Sequence, residues 1–105
     1  MDKWINKFKE ELLPQIIQKY APEKLLLFGS RIKGTANKES DLDIIIISQK
    51  FGDIPFLERM PLLLKEFSFP KHIDYICYTP HEYKKIKKES SLILDALEYG
   101  EIIST

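Results

Sequence analysis

The sequence is poor in cysteine, in long apolar runs and in net charge, and each shortage excludes something. A lone cysteine, Cys77, among 105 residues leaves no internal disulfide framework and no cysteine-rich zinc site, and it fits a reducing compartment. The longest uninterrupted apolar runs, Leu25 to Phe28 and Ile44 to Ile47, are four residues each, against the roughly 20 that a membrane-spanning helix needs. Sixteen basic residues balance sixteen acidic ones, so no global field gathers nucleic acid, and any dealing with nucleotides has to be local. Met1-Asp2-Lys3-Trp4 leads directly into a charged amphipathic pattern without the apolar segment of a secretory signal, which predicts a cytoplasmic setting.

What is present is the composition of a folded domain, 44% hydrophobic and 30% charged, with length for one core over residues 1–105. Trp4, Ile5, Phe8, Leu12, Ile16 and Tyr20 recur at helical spacing behind Asp2, a natural N-cap. Pro14 removes one backbone donor and predicts a kink or break near Leu13. Lys24 to Phe28, ending at Gly29, reads as a buried strand, and Leu42 to Ile47 as a second one after the turn formers of residues 34–41. Residues 54–67 carry a helical period with Pro55 in the first turn and Pro61 inside it. His72 to Tyr78 reads as a third strand, followed by Thr79-Pro80 and Glu82 as a helix start, with helices to Tyr99-Gly100. The lysines at 84, 85, 87 and 88 and the acids after them read as a solvated helix face. The order predicts an α/β (α+β) domain, a small mixed sheet flanked by helices.

The chemistry concentrates in Phe28-Gly29-Ser30-Arg31 and Asp41-Leu42-Asp43, with ten residues from Arg31 to Ser40 between Ser30 and Asp41. Residues two apart on a strand share a face, so Asp41 and Asp43 set two carboxylates side by side, a repulsion that a divalent cation relieves. Oxygen ligands of this kind suit Mg²⁺ better than zinc. A glycine after a strand lets backbone amides approach an anion, and Ser30 can open a short helix whose amino end attracts phosphate. Asp74 lies inside the third apolar strand, where a carboxylate needs a partner. If that strand neighbours the second, three carboxylates converge, as two-metal phosphoryl transfer requires. Singly, each feature has an ordinary reading: a strand exit with a helix cap, a turn before a strand, an acid at a wet edge. Their conjunction in so short a chain favours a site.

These residues resemble the minimal nucleotidyltransferase (MNT) family of the DNA polymerase β superfamily, whose motif is an apolar residue, Gly-Ser, a spacer of about ten residues and Asp-x-Asp. Here it is Phe28-Gly29-Ser30 and Asp41-Leu42-Asp43, with Arg31, Gly34 and Ser40 also matching and Asp74 as the third acid. The resemblance implies a polymerase β-like core in which Asp41 and Asp43 bind two Mg²⁺ ions. Asp74 would bind one of them and help activate an attacking hydroxyl. Gly29 and Ser30 would hold the β and γ phosphates of ATP, so that AMP is transferred and pyrophosphate expelled. Arg31, one of the two arginines in the sequence, offers a fork of donors for a phosphate or for a surface ion pair.

Members of this family of similar size occur as antitoxins paired with HEPN-domain RNase toxins, which implies adenylylation of a tyrosine on such a partner and a hetero-oligomeric encounter. Two alternatives stand beside that reading: a binding module that neutralises its partner by contact alone, and a nucleotidyltransferase acting on RNA ends or a small molecule. The neutral charge counts against an extensive nucleic-acid surface. His72, His81 and Cys77 receive no role, the histidines for want of a partner at metal or triad spacing.

Overall fold

The computed structural model describes residues 2–104. The amino-terminal stripe forms α1 (Lys3–Lys7), a π-helical turn (Phe8–Leu12) and α2 (Leu13–Tyr20) in unbroken succession. Asp2 caps it as expected, its Oδ1 accepting from the amides of Trp4 at 2.8 Å and Ile5 at 3.2 Å. Pro14 does not break the helix. It sits in the first turn of α2, and the preceding turn widens so that the Leu13 amide donates to the Phe8 carbonyl five residues back. A π-turn absorbs the missing donor and the bulk of the ring without ending the helix.

The sheet comprises β1 (Lys24–Phe28), β2 (Leu42–Ile47), β3 (Ile73–Tyr78) and β4 (Glu101–Ser104), in the spatial order β3-β2-β1-β4. β1 runs antiparallel to β2 and β4, whereas β2 and β3 are parallel. Parallel neighbours need a crossover, and it is made by a 3₁₀ turn (Gln49–Asp53) and α4 (Phe56–Glu66), with Pro55 at the N-cap and Pro61 on the solvent side.

Alternation along the strands divides the core in two. Leu25, Leu27, Leu42, Ile44, Ile46, Ile73, Tyr75 and Cys77 face the amino-terminal helices, Phe51 and Leu63. Leu26, Phe28, Ile45 and Ile47, with Ile76 and Tyr78, face Tyr83, Ile93 and Ala96 of α5 (Pro80–Ile86) and α6 (Ser91–Tyr99). The expected capping box of α5 is present between Thr79 and Glu82.

Two features escaped the sequence. β4 extends the sheet beyond the three strands expected: the chain turns at Gly100, where a Cβ would collide with the carbonyls of Ala96 and Leu27, and Ile103 lies opposite Leu25. Arg59, 4% exposed, donates to the carbonyls of Ile54 and Cys77 and pairs with Glu82, tying α4 to the end of β3 and to α5.

Candidate active site

The register of β1, β2 and the edge strand β3 sets Phe28, Asp43 and Asp74 side by side. Because β2 and β3 are parallel, both acids enter from the same end of the sheet, on the face that carries Ile45, Ile47, Ile76 and Tyr78 farther along. Helices α5 and α6 cover those apolar positions and leave the acidic row half-buried. Asp41 immediately precedes β2. The convergence expected of the three carboxylates is therefore what the topology produces.

Its electrostatics are unfavourable in the absence of a cation. Burial, then the charge of Asp74 and a hydrogen bond with it, then the charge of Asp41, push the Asp43 carboxyl up to about 6. Two carboxyls can hydrogen-bond only through a proton held between them, which favours the protonated form of Asp43.

Gly29 packs directly on Asp43. Its φ is +84° and ψ −167°, a region essentially closed to side chains, and a Cβ there would overlap Asp43 Oδ2 and lie 3.1 Å from its Cγ. Glycine is required on both counts, and the bend is pressed against the acid as the phosphate reading needs. Ser30 then opens the short helix α3 (Ser30–Lys33), closed by Gly34 at φ +80°.

Arg31 is used differently from the phosphate fork considered above. Its guanidinium is buried, with Nε donating to the Ser40 carbonyl at 2.8 Å and Nη1 to Asp2 Oδ2 at 2.8 Å. Nη2 reaches the carbonyls of Asn37 at 3.2 Å and Lys38 at 3.4 Å. In this structure these donors go to the loop that leads to Asp41 and to Asp2, so the guanidinium holds that loop in place.

His72 is the residue that sequence reasoning missed. Its Nε2 lies 3.0 Å from Asp74 Oδ1, and the ligand atoms of Asp41, His72 and Asp74 all fall within 4.8 Å of one another. The signal was available: His72 precedes Asp74 by two residues and so points to the same side of the chain. His81 lies elsewhere, exposed on α5, and Cys77 is a core residue whose thiol burial pushes up to about 12.

A half-buried group of carboxylates, one of them driven toward protonation by burial and by the other acids, fits a hard divalent cation, whose charge would remove that repulsion. The sequence profile of the nucleotidyltransferase domain matches residues 5–103. The chain belongs to this family. As a nucleotidyltransferase it is an enzyme of the transferase class. Over 90 residues it is 29% identical to "Probable protein adenylyltransferase MntA" of Haemophilus influenzae, covering 83% of this chain and 79% of that protein. A 60-residue stretch is 37% identical to Caffeine-induced protein 16 of Schizosaccharomyces pombe, covering 56% of this chain but 5% of that much longer protein. The fold matches the crystal structure of a "putative nucleotidyltransferase" from Sulfolobus solfataricus with a TM-score of 0.57 at 23% identity, over 77% of this chain and 72% of that one. Among the described residues, no helix of this nucleotidyltransferase is long and apolar enough to cross a membrane.

Proposed function

We propose that this nucleotidyltransferase transfers AMP from ATP to a protein hydroxyl in a Mg²⁺-dependent reaction, the acceptor being a tyrosine of a HEPN-family RNase toxin that the transfer silences. The observation that carries this reading is the Gly29 bend packed against Asp43, with Asp74 in register on the next strand. One place thus offers amides for a triphosphate and acids for its counter-ions. The name of the Haemophilus influenzae relative supports a protein as acceptor.

In the proposed reaction the Gly29 and Ser30 amides and the Ser30 hydroxyl hold the β and γ phosphates. Asp41, Asp43 and Asp74 hold Mg²⁺, two ions in the complete assembly. When bound, Mg²⁺ supplies charge neutralisation at the α-phosphate and the departing pyrophosphate and favours the alkoxide-like form of the acceptor. Asp74 receives the proton of the attacking hydroxyl. The acceptor oxygen bonds to the α-phosphorus as the bond from that phosphorus to the bridging oxygen breaks, and the electron pair leaves with pyrophosphate. The protein's contribution is position and preorganised charge.

The test is incubation of the chain with Mg²⁺, α-labelled ATP and a HEPN-domain protein as candidate acceptor. Label on a tyrosine of the partner supports the proposal. A neutralised partner that stays unlabelled within a formed complex would instead indicate inhibition by contact, and label on RNA or on an aminoglycoside would name another acceptor.

A further inference from the structure

We infer that His72 is a direct ligand of the ion held by Asp41 and Asp74, and that this nitrogen donor makes the site favour manganese-class cations over magnesium. The inference rests on the proposed function in taking those carboxylates as metal ligands, and it adds the ion class and the residue that sets it.

The geometry comes first. The Leu42 amide donates to the His72 carbonyl at 3.1 Å, continuing the parallel register in which Leu42 faces Ile73, so position 72 stands beside position 41 at the mouth of the sheet. An octahedral ion with bonds of about 2.1 Å sets neighbouring donors about 3.0 Å apart and opposite donors about 4.2 Å apart. The His72 Nε2 to Asp74 Oδ1 separation of 3.0 Å is already that of neighbouring donors. The three ligand atoms all lie within 4.8 Å of one another, near the spacing of about 4.2 Å for opposite donors, and His72, the exposed member, can turn to meet an ion. Three protein donors leave positions for phosphate oxygens and water.

The chemistry follows from the donor set. Mg²⁺ takes oxygen almost exclusively, whereas imidazole nitrogen favours the later divalent ions, and affinity for mixed nitrogen and oxygen sites rises from Mn²⁺ toward Co²⁺ and beyond. A site of carboxylates alone has no such bias. The side chain of His72 is 47% exposed, so it can turn onto an ion, and its replacement leaves the core untouched.

The sequence has two histidines, which makes the test clean. Mn²⁺ binding to the purified chain is followed by continuous-wave and pulsed electron paramagnetic resonance in wild type, His72→Gln, His81→Gln and Asp41→Asn, with Mg²⁺ as competitor. Expected is a nitrogen modulation from bound Mn²⁺ in wild type and in His81→Gln, lost in His72→Gln. The Mn²⁺ to Mg²⁺ affinity ratio should fall about tenfold or more in that variant. Wild-type Mn²⁺ bound without nitrogen coupling, or a ratio unchanged in His72→Gln, would overturn the ligand role while leaving the carboxylate site standing. Failure of wild type to bind Mn²⁺ any better than Asp41→Asn would remove the carboxylate site, and this inference with it.

Discussion

Asp43 is the residue at which site chemistry and fold stability oppose each other. Its carboxyl titrates near 6 in the folded chain through burial and the neighbouring Asp74 and Asp41 charges, against an ordinary value of 3.8. The folded state therefore binds the proton more tightly than the unfolded state, and the ionised acid is destabilising. That penalty is complete above about pH 6 and disappears as pH falls toward 3.8. Asp43→Asn should accordingly unfold at a higher urea concentration than wild type at pH 7.5 without divalent ions, the gap closing toward pH 4. A variant less stable than wild type at pH 7.5 would contradict this origin of the shift. In the presence of ATP and Mg²⁺ the same variant should lose transfer by on the order of 10³-fold, because a group that carries charge for the transition state is gone. Gly29→Ala meets both a forbidden backbone region and Asp43 Oδ2, and should destabilise by about 1–3 kcal/mol and abolish ATP binding. Ser30→Ala should weaken ATP binding in a calorimetric titration while leaving partner binding intact; unchanged ATP affinity would remove Ser30 from the phosphate site.

At the scale of elements, two buried arginines fasten the parts that carry the acids. Arg31 clasps the Asn37–Ser40 turn to Asp2, fixing the approach to Asp41. Arg59 joins α4, β3 and α5, and its hydrogen bond holds the Glu82 carboxyl down at about 2, well below the ordinary 4.5. A depressed acid stabilises the fold above its unfolded pKa and loses that contribution as pH falls through the folded one. Glu82→Gln should thus be less stable than wild type at pH 7, with the difference shrinking between pH 4.5 and about 2; a difference independent of pH over that range would show the pair to be energetically idle. Neither arginine's place was legible in the sequence, because a long side chain chooses among distant carbonyls only once the chain has folded. The Asp2 cap and the Thr79–Glu82 box were legible, being satisfied within one turn of their own helix. Pro14 was read as a kink or break near Leu13, and the structure answers the lost donor there with a π-turn that keeps the helix continuous. β4 was missed because Glu101–Ser104 is only four residues long, and it forms by completing the open edge of β1.

For the molecule as a whole, the order of helices and strands could be read from hydrophobic period, and the site from spacing, because both depend on short stretches of chain. Strands β1, β2 and β3 announced themselves by apolar runs, and Gly29-Ser30 with Asp41 and Asp43 by their separation along the sequence. The pairing of β3 parallel to β2, which brings Asp74 and His72 to the other acids, could only be posed as a condition. The zero net charge leaves partner recognition to local surfaces. The most direct measurement is the intact mass of the proposed HEPN partner after incubation with ATP, Mg²⁺ and either wild type or Asp43→Asn. Expected is a partner heavier by one or more AMP groups with wild type and unmodified with Asp43→Asn. A partner that forms the complex yet keeps its original mass with wild type, or gains AMP equally with both, would contradict nucleotidyl transfer at these three acids.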